Sequence, residues 1–137
     1  MGYVETRADD DISADQFDKR HADWVQGIHR ALSLPSQRLY GRAAKLIAIY
    51  IKSMVVVGPH GGSQLANEAH PPIDRRLLST IAKNKDVDTE VRKRFRVATW
   101  TKFTHADYLT TINDLRGLRS PGEPFWKIEA DWTPRDV

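Results

Sequence analysis

Residues 38–56 read RLYGRAAKLIAIYIKSMVV, and this stretch decides the fold. Its apolar side chains would cover most of the circumference of an α-helix, which is typical of a helix at the centre of a domain. We predict that this helix begins at Ser36 and runs to about Val56. The turn-forming residues GPHGG follow directly at positions 58–62 and would end it. The buried centre of the protein is therefore expected on this helix.

The central helix also carries basic residues on one side. These residues are Arg38, Arg42, Lys45 and Lys52. At about 100° per residue, they fall within a sector about 80° wide. We therefore expect one narrow basic stripe on an otherwise apolar helix.

Further helices are predicted on both sides of the central one from three- and four-residue apolar spacing and from capping signals. The capping signals are Ser13 with Gln16 and Thr104 with Asp107. In chain order, they are a helix from about Ala14 to Ser33, a short turn at Ser63 to Ala69, a helix from about Ile73 to Lys83, one that starts at Asp88 or Thr89, one that starts at Thr104, and a short one within Pro124 to Trp132. Residues 91–100 also show the alternation of a strand, and we prefer a helix there. Gly117 is expected to form a left-handed cap at its helix end.

These elements predict an all-α fold, a single compact bundle of five or six helices around the central apolar helix. A helical domain at residues 13–137 would follow a flexible acidic arm at residues 1–12. The length of 137 residues suits one domain, and the absence of cysteine excludes a disulfide framework, a thiolate zinc site and a cysteine nucleophile.

Charge and hydropathy give expectations about location and partners. Apolar runs such as Leu46 to Ile51 and Met54 to Val57 are too short to cross a bilayer, so we expect a cytoplasmic protein with no membrane contact. Between Val25 and Lys102 the chain holds 14 basic and 5 acidic residues. A basic domain of this kind suits DNA as a partner, whereas an ordinary solvated surface or a protein partner is the alternative.

One resemblance to a known family points to an activity. The residues GRAAK at positions 41–45 open the apolar helix, and PID at positions 72–74 opens another helix after a turn-rich connection. Over Gly41 to Lys83 this order resembles the back half of the helix-hairpin-helix DNA glycosylases, with their glycine–x–glycine–x–lysine and proline–valine–aspartate motifs. The resemblance implies that Lys45 is the nucleophile that attacks C1′ of a damaged nucleotide. It implies that Asp74 assists base departure and the later proton transfers. We therefore expect the Lys45 amine and the Asp74 carboxylate to meet at the same cleft.

Elementary chemistry agrees with these two roles. A lysine on the inner side of a core helix is partly desolvated, which leaves more free amine for Schiff-base formation. A carboxylate in the first turn of a helix is stabilised as the anion by the helix dipole. The chain departs from the family at Ala43, which replaces the second glycine, and at Arg42, where an apolar residue is usual. The structural alternative is that Lys45 lies at the wet edge of its helix and Asp74 only begins one.

The basic stripe of the central helix would lie toward the phosphate backbone of a nucleic acid, with Arg38, Arg42 and Lys52 as contacts. A second basic cluster suits the same partner. It consists of Arg92, Lys93, Arg94 and Arg96 around Phe95, with Trp100 beyond it. Basic residues interleaved with aromatic ones favour phosphate contact and base stacking, and the alternative is a solvated helix face.

The histidines give no compact metal-binding motif. His60, Glu68 and His70 flank one loop without the spacing that metal ligands usually show, so we expect no metal and no cofactor. His70 is expected to hydrogen-bond its own loop.

The sequence thus favours a nucleic-acid-associated helical protein that resembles a minimal DNA glycosylase or abasic-site lyase of DNA repair. The alternative is a non-catalytic helical module that binds protein or nucleic acid, such as an accessory protein of a bacterial defence or mobile-element locus.

Overall fold

A computed structural model describes residues 12–32, 40–57 and 63–132. These residues form helices and connecting turns, with no strand among them, so the predicted all-α bundle is confirmed. The elements are α1 (Ala14–Ala31), α2 (Tyr40–Ile51), a π-helical segment (Lys52–Val56), α3 (Gln64–Glu68), α4 (Arg75–Lys83), α5 (Thr89–Val97), a 3-10 turn (Trp100–Lys102), α6 (His105–Leu118) and α7 (Lys127–Trp132). Within these ranges, no helix combines the length and the apolar character that a membrane span requires.

Capping boxes begin two of the helices, as predicted. At the start of α1, the Ser13 hydroxyl accepts a hydrogen bond from the Gln16 amide, and the Gln16 side chain accepts one from the Ser13 amide. Thr104 and Asp107 repeat this arrangement at the start of α6. Each box satisfies amide groups that the first helical turn leaves without partners.

Helix α2 lies at the centre of the bundle and packs against α1, α6 and the 3-10 turn. Its buried residues are Tyr40, Gly41, Ala43, Ala44, Ile47, Ala48 and Ile51. The expectation of burial nearly all round is wrong for the outer face, because Leu46 and Ile49 are 56% and 44% exposed. No described element packs over these two side chains closely enough to bury them. The central helix therefore keeps one apolar face toward solvent.

The ends of two helices differ from the prediction. Beyond Ile51 the chain continues as the π-helical segment, and residues 36–39 and the turn at 58–62 lie outside the described residues. Gly117 lies inside α6, which ends at Leu118 with Arg119 as its C-cap. The left-handed conformation belongs instead to Gly122, with φ 77°, in the turn that follows. A glycine that a helix merely tolerates gives the same local signal as a glycine cap, and this explains the wrong prediction.

Residues 89–97 form a helix, as preferred over a strand. Asp88 caps α5 by accepting hydrogen bonds from the amides of Glu90 and Val91. Phe95 is the buried side chain of this helix, which packs against α4. At the start of the chain, Ile12 was assigned to the acidic arm but is fully buried, so the packed domain includes it. Residues 1–11 lie outside the described residues.

Candidate functional site

The structure brings together Lys45 and Asp74, which lie 29 residues apart in the sequence. Lys45 Nζ on α2 lies 3.4 Å from Asp74 Oδ2. The two side chains are 29% and 34% exposed, so both can be reached from solvent. An amine and a carboxylate that face each other at the surface can exchange a proton or meet an external ligand.

The position of Asp74 follows from local structure. We expected it in the first turn of its helix, and the structure shows it one position earlier, as the N-cap of α4. Its Oδ1 accepts a hydrogen bond from the Leu77 amide at 3.0 Å, which leaves Oδ2 to face Lys45. The preceding Pro71 and Pro72 are buried and stiffen the approach to the cap. Asp74 therefore both caps a helix and faces the amine.

Trp100 completes the surroundings of Lys45. Lys45 Nζ lies 4.9 Å from the centroid of the Trp100 ring, within the range of a cation–π contact. Trp100 begins the 3-10 turn between α5 and α6 and is partly exposed. The ammonium thus has a carboxylate and an indole face as neighbours.

The basic stripe of α2 is only partly available to a ligand. Arg42 is exposed, whereas Lys52 forms an ion pair with Glu129 on α7, with 2.6 Å between Nζ and Oε2. Arg38 lies outside the described residues. Lys52 would have to leave Glu129 before it could contact a phosphate.

The basic residues of α5 are also partly neutralised. The Arg94 guanidinium donates two hydrogen bonds to the Asp114 carboxylate, at 2.9 and 2.7 Å. Lys93 pairs with Glu90 one turn away on the same helix, at 3.0 Å. Arg96 is exposed. Arg92, Lys93, Arg94 and Arg96 thus form a basic patch on α5, whereas Lys45 lies on α2 and Asp74 caps α4.

A groove borders this patch and the 3-10 turn. Its volume is about 370 Å³, and Arg94, Val97, Thr99, Lys102, Phe103 and Thr110 are among the residues that line it. Arg92, on the same helix, is half-buried and is not among these lining residues. Asp107 adds a carboxylate to these cationic and hydroxyl groups, and the volume lies in the range of small-ligand sites.

Sequence reasoning missed a buried polar network between α1, the segment before α4, and α6. His70 Nε2 lies 2.7 Å from Asp18 Oδ1, and His70 Nδ1 lies 2.8 Å from the Tyr108 hydroxyl. Asp18 also accepts two hydrogen bonds from the Arg116 guanidinium, both at 2.7 Å. The expected bond of His70 to its own loop is wrong, because its partners come from α1 and α6.

His21 extends the network toward α2. Its ring stacks on Tyr108 with 5.1 Å between centroids and an interplanar angle of 2°. Its Nε2 lies 3.4 Å from the Tyr108 hydroxyl, and its Nδ1 lies 3.4 Å from the Tyr40 hydroxyl. Every group in this chain of contacts is satisfied when the hydrogen bonds all run the same way. Tyr40 then donates to His21, His21 donates to Tyr108, Tyr108 donates to His70, and His70 donates to Asp18. This assignment requires both imidazoles to be neutral.

Burial and hydrogen bonding shift the titration of this network. Burial lowers the pKa of His21 well below its ordinary value and also lowers the pKa of His70, although the hydrogen bond to Asp18 opposes the change at His70. Burial alone would raise the pKa of Asp18, but the hydrogen bonds from Arg116 and His70 outweigh it and hold this pKa below the usual range. Burial raises the pKa of the Tyr108 hydroxyl. The network is therefore neutral at its histidines and charged only at the Asp18–Arg116 pair.

One signal in the sequence did point to this network. His21 occupies an apolar position of α1, between Phe17 and Trp24, and both neighbours are buried. A histidine at such a position needs polar partners inside the core. The identity of those partners could not be inferred, because Tyr108 is 87 residues away.

No protein-family model, curated protein or solved structure matches the chain. The resemblance to the helix-hairpin-helix glycosylases therefore depends on the residues themselves.

Within residues 12–32, 40–57 and 63–132, no group of three or more histidine and acidic side chains is arranged to hold a metal ion.

Proposed function

We propose that the protein binds nucleic acid and acts on abasic or damaged nucleotides, with Lys45 as nucleophile and Asp74 as the acid–base partner. The observation that carries this proposal is the 3.4 Å approach of Lys45 Nζ to Asp74 Oδ2 at a partly exposed position. A purely structural ion pair at the surface would contribute only about 0–1 kcal/mol to stability, so stability alone gives little reason for it.

The proposed reaction begins with proton transfer. Asp74 accepts a proton from the Lys45 ammonium, and the free amine attacks C1′ of the ring-opened abasic sugar. The resulting carbinolamine loses water to give a protonated imine. Loss of a proton from C2′ then lets the 3′ phosphate leave with the electrons of its C–O bond. The exposed Arg42, one turn before Lys45, would contact the phosphate backbone.

Borohydride trapping tests the nucleophile. Hydride reduction of the imine should leave wild-type protein covalently bound to an oligonucleotide with one abasic site, detected as a shifted band on a denaturing gel. Lys45→Ala and Lys45→Arg should give no adduct, and Lys45→Arg should keep its affinity because it keeps the charge. Lys52→Ala is the matched control, since Lys52 lies on the same predicted stripe but pairs with Glu129. An adduct that persists in Lys45→Ala, or none with wild type, would refute the proposal.

Asp74→Asn tests the carboxylate separately from the helix cap. Asparagine caps a helix about as well as aspartate, so α4 should keep its start while the proton acceptor is lost. Trapping should then slow by about 10²-fold or more without a change in the midpoint of thermal unfolding. An unchanged trapping rate would leave Asp74 with only its capping role.

The exposed apolar face of α2 favours a second candidate, a non-catalytic module that binds another protein. Leu46, Ile49 and Met54 are each more than 40% exposed on or just beyond the central helix. Large apolar side chains grouped at a surface are typical of protein-binding sites. If this candidate is right, Leu46→Glu should abolish binding of the partner protein and should not change the amount of borohydride adduct.

A further inference from the structure

The backbone of Trp100 lies in direct contact with α2 at Gly41. A Cβ atom built on Gly41 would overlap the carbonyl oxygen of Trp100 and would come within 3.2 Å of Phe103 Cβ. Only glycine at position 41 therefore lets the backbone of the 3-10 turn lie directly on α2. Phe103, just after the turn, is 6% exposed and anchors it in the core. The turn is thus fixed on two sides before any ligand binds.

Trp100 packs in part against the core beside Phe103 and remains partly open to solvent. The part that is open to solvent can make an external contact. A flat indole stacks on the face of any nucleobase, and this contact does not depend on base identity. Arg42 and Lys102, both exposed, follow Gly41 and Trp100 closely in the chain and supply positive charge for phosphates.

We propose that Trp100 is the platform on which a base of the substrate stacks, so that the preferred ligand is a nucleic acid with an unpaired or extruded base. Any reaction of a base stacked on Trp100 rests on the function proposed above, but the stacking itself can be measured without a reaction. The sugar carbon C1′ is bonded directly to the base. Lys45 Nζ lies over the ring, 4.9 Å from its centroid, so a base that stacks on the indole would bring C1′ into the neighbourhood of this amine. Gly41 is the positioning residue, because it lets the backbone of Trp100 lie directly on α2.

The first test compares binding of unmodified DNA by wild type, Trp100→Phe and Trp100→Ala. Fluorescence anisotropy with a labelled thymidine 12-mer and with a duplex of the same length gives the Kd values at one fixed salt concentration. We expect the single strand to bind about tenfold tighter than the duplex and Trp100→Ala to weaken single-strand binding by about 5- to 100-fold. Trp100→Phe, which keeps an aromatic face, should stay within about threefold of wild type.

The second test moves the indole without removing it. Gly41→Ala should weaken single-strand binding toward the level of Trp100→Ala. Gly117→Ala is the matched control, because a Cβ at this helical glycine meets no atom within 4 Å, and binding should not change. If Trp100→Ala does not fold, quenching of tryptophan emission by the oligonucleotide carries the test. The quenching should disappear in Trp100→Phe and remain in Trp126→Phe.

The outcomes separate this inference from the proposed activity. Equal affinities of wild type and Trp100→Ala, preference of wild type for the duplex, or no binding by wild type would each overturn the stacking role. Single-strand binding that depends on Trp100, together with no borohydride adduct, would refute the lyase activity and support the platform. An adduct that forms equally well in Trp100→Ala would support the lyase activity and refute the platform.

Discussion

Two regions of the molecule each place an aspartate against a cationic side chain, and they do so in opposite ways. Asp18 receives two hydrogen bonds of 2.7 Å from Arg116 and another from His70, and its side chain is 17% exposed. Asp74 meets Lys45 once, at 3.4 Å, with about a third of each side chain exposed. The Asp18 carboxylate thus accepts three short hydrogen bonds, whereas the Asp74 carboxylate keeps room for another partner.

This difference in pairing and exposure separates the region that stabilises the fold from the region that is open to a ligand. A bidentate pair inside the protein excludes water and joins α1 to α6, so its loss leaves a buried charge without a partner. A single exposed contact is screened by solvent and contributes little to stability. On this comparison, variants of Asp18 should change stability, and variants of Lys45 and Asp74 should change activity.

The largest expected effect comes from Asp18→Ala. It leaves the Arg116 guanidinium and His70 Nε2 without their shared acceptor, which should lower the free energy of unfolding by about 3 kcal/mol. Urea unfolding followed by circular dichroism measures this loss. Asp23→Ala is the control, because Asp23 is exposed on the same helix and should change stability by about 0.5 kcal/mol at most. A loss below about 1 kcal/mol for Asp18→Ala would remove the contrast between the regions.

An intermediate effect is expected from pH. Burial lowers the pKa of His21 and of His70, so below about pH 6.5 the unfolded chain binds protons that the folded chain does not. Stability is therefore present at neutral pH and falls as the pH decreases, by up to about 1.4 kcal/mol per pH unit for each histidine. The lowered pKa of Asp18 acts with the same sign at more acidic pH.

Unfolding in urea between pH 8 and pH 5 measures this dependence. His21→Phe removes one titrating ring that otherwise faces Asp18, His70, His105 and Arg116, and it should flatten the slope by about one proton. It should also lower stability at pH 8. A slope equal to that of wild type would show that His21 does not titrate as a buried neutral group.

The smallest effect on stability is expected at the exposed pair. Lys45→Met keeps a long apolar stem and removes the charge, so the free energy of unfolding should change by about 0.5 kcal/mol or less. The same variant should give no borohydride adduct. A loss above about 2 kcal/mol, measured in the same urea assay, would mean that this pair stabilises the fold as the buried one does.

Local chemistry made several elements predictable. Ser13 with Gln16 and Thr104 with Asp107 form capping boxes that depend on four consecutive residues, and both occur as expected. The approach of Asp74 to Lys45 was expected from the motif order, although the motif did not indicate that Asp74 would be the N-cap.

The features that the sequence did not predict depend on contacts between distant parts of the chain. The expected burial of Leu46 failed because helical periodicity counts apolar residues without knowing which neighbours pack on each face. The role of Gly41 could not be inferred either, since it is set by the backbone of Trp100 in a turn nearly sixty positions later. Trp100 was considered only with the basic residues of α5, and its place beside Lys45 emerged from the packing of the turn on α2.

The Asp18–Arg116 pair has a consequence for synthesis on the ribosome. Asp18 is made before both of its partners, since His70 follows 52 residues later and Arg116 follows 98 residues later. Because a chain is synthesised from its amino end, α1 must wait for 98 further residues before its ionic partner exists. Nascent chains that stop before Arg116 should therefore be recognised by chaperones and cleaved readily by proteases, whereas chains that extend beyond α6 should resist cleavage.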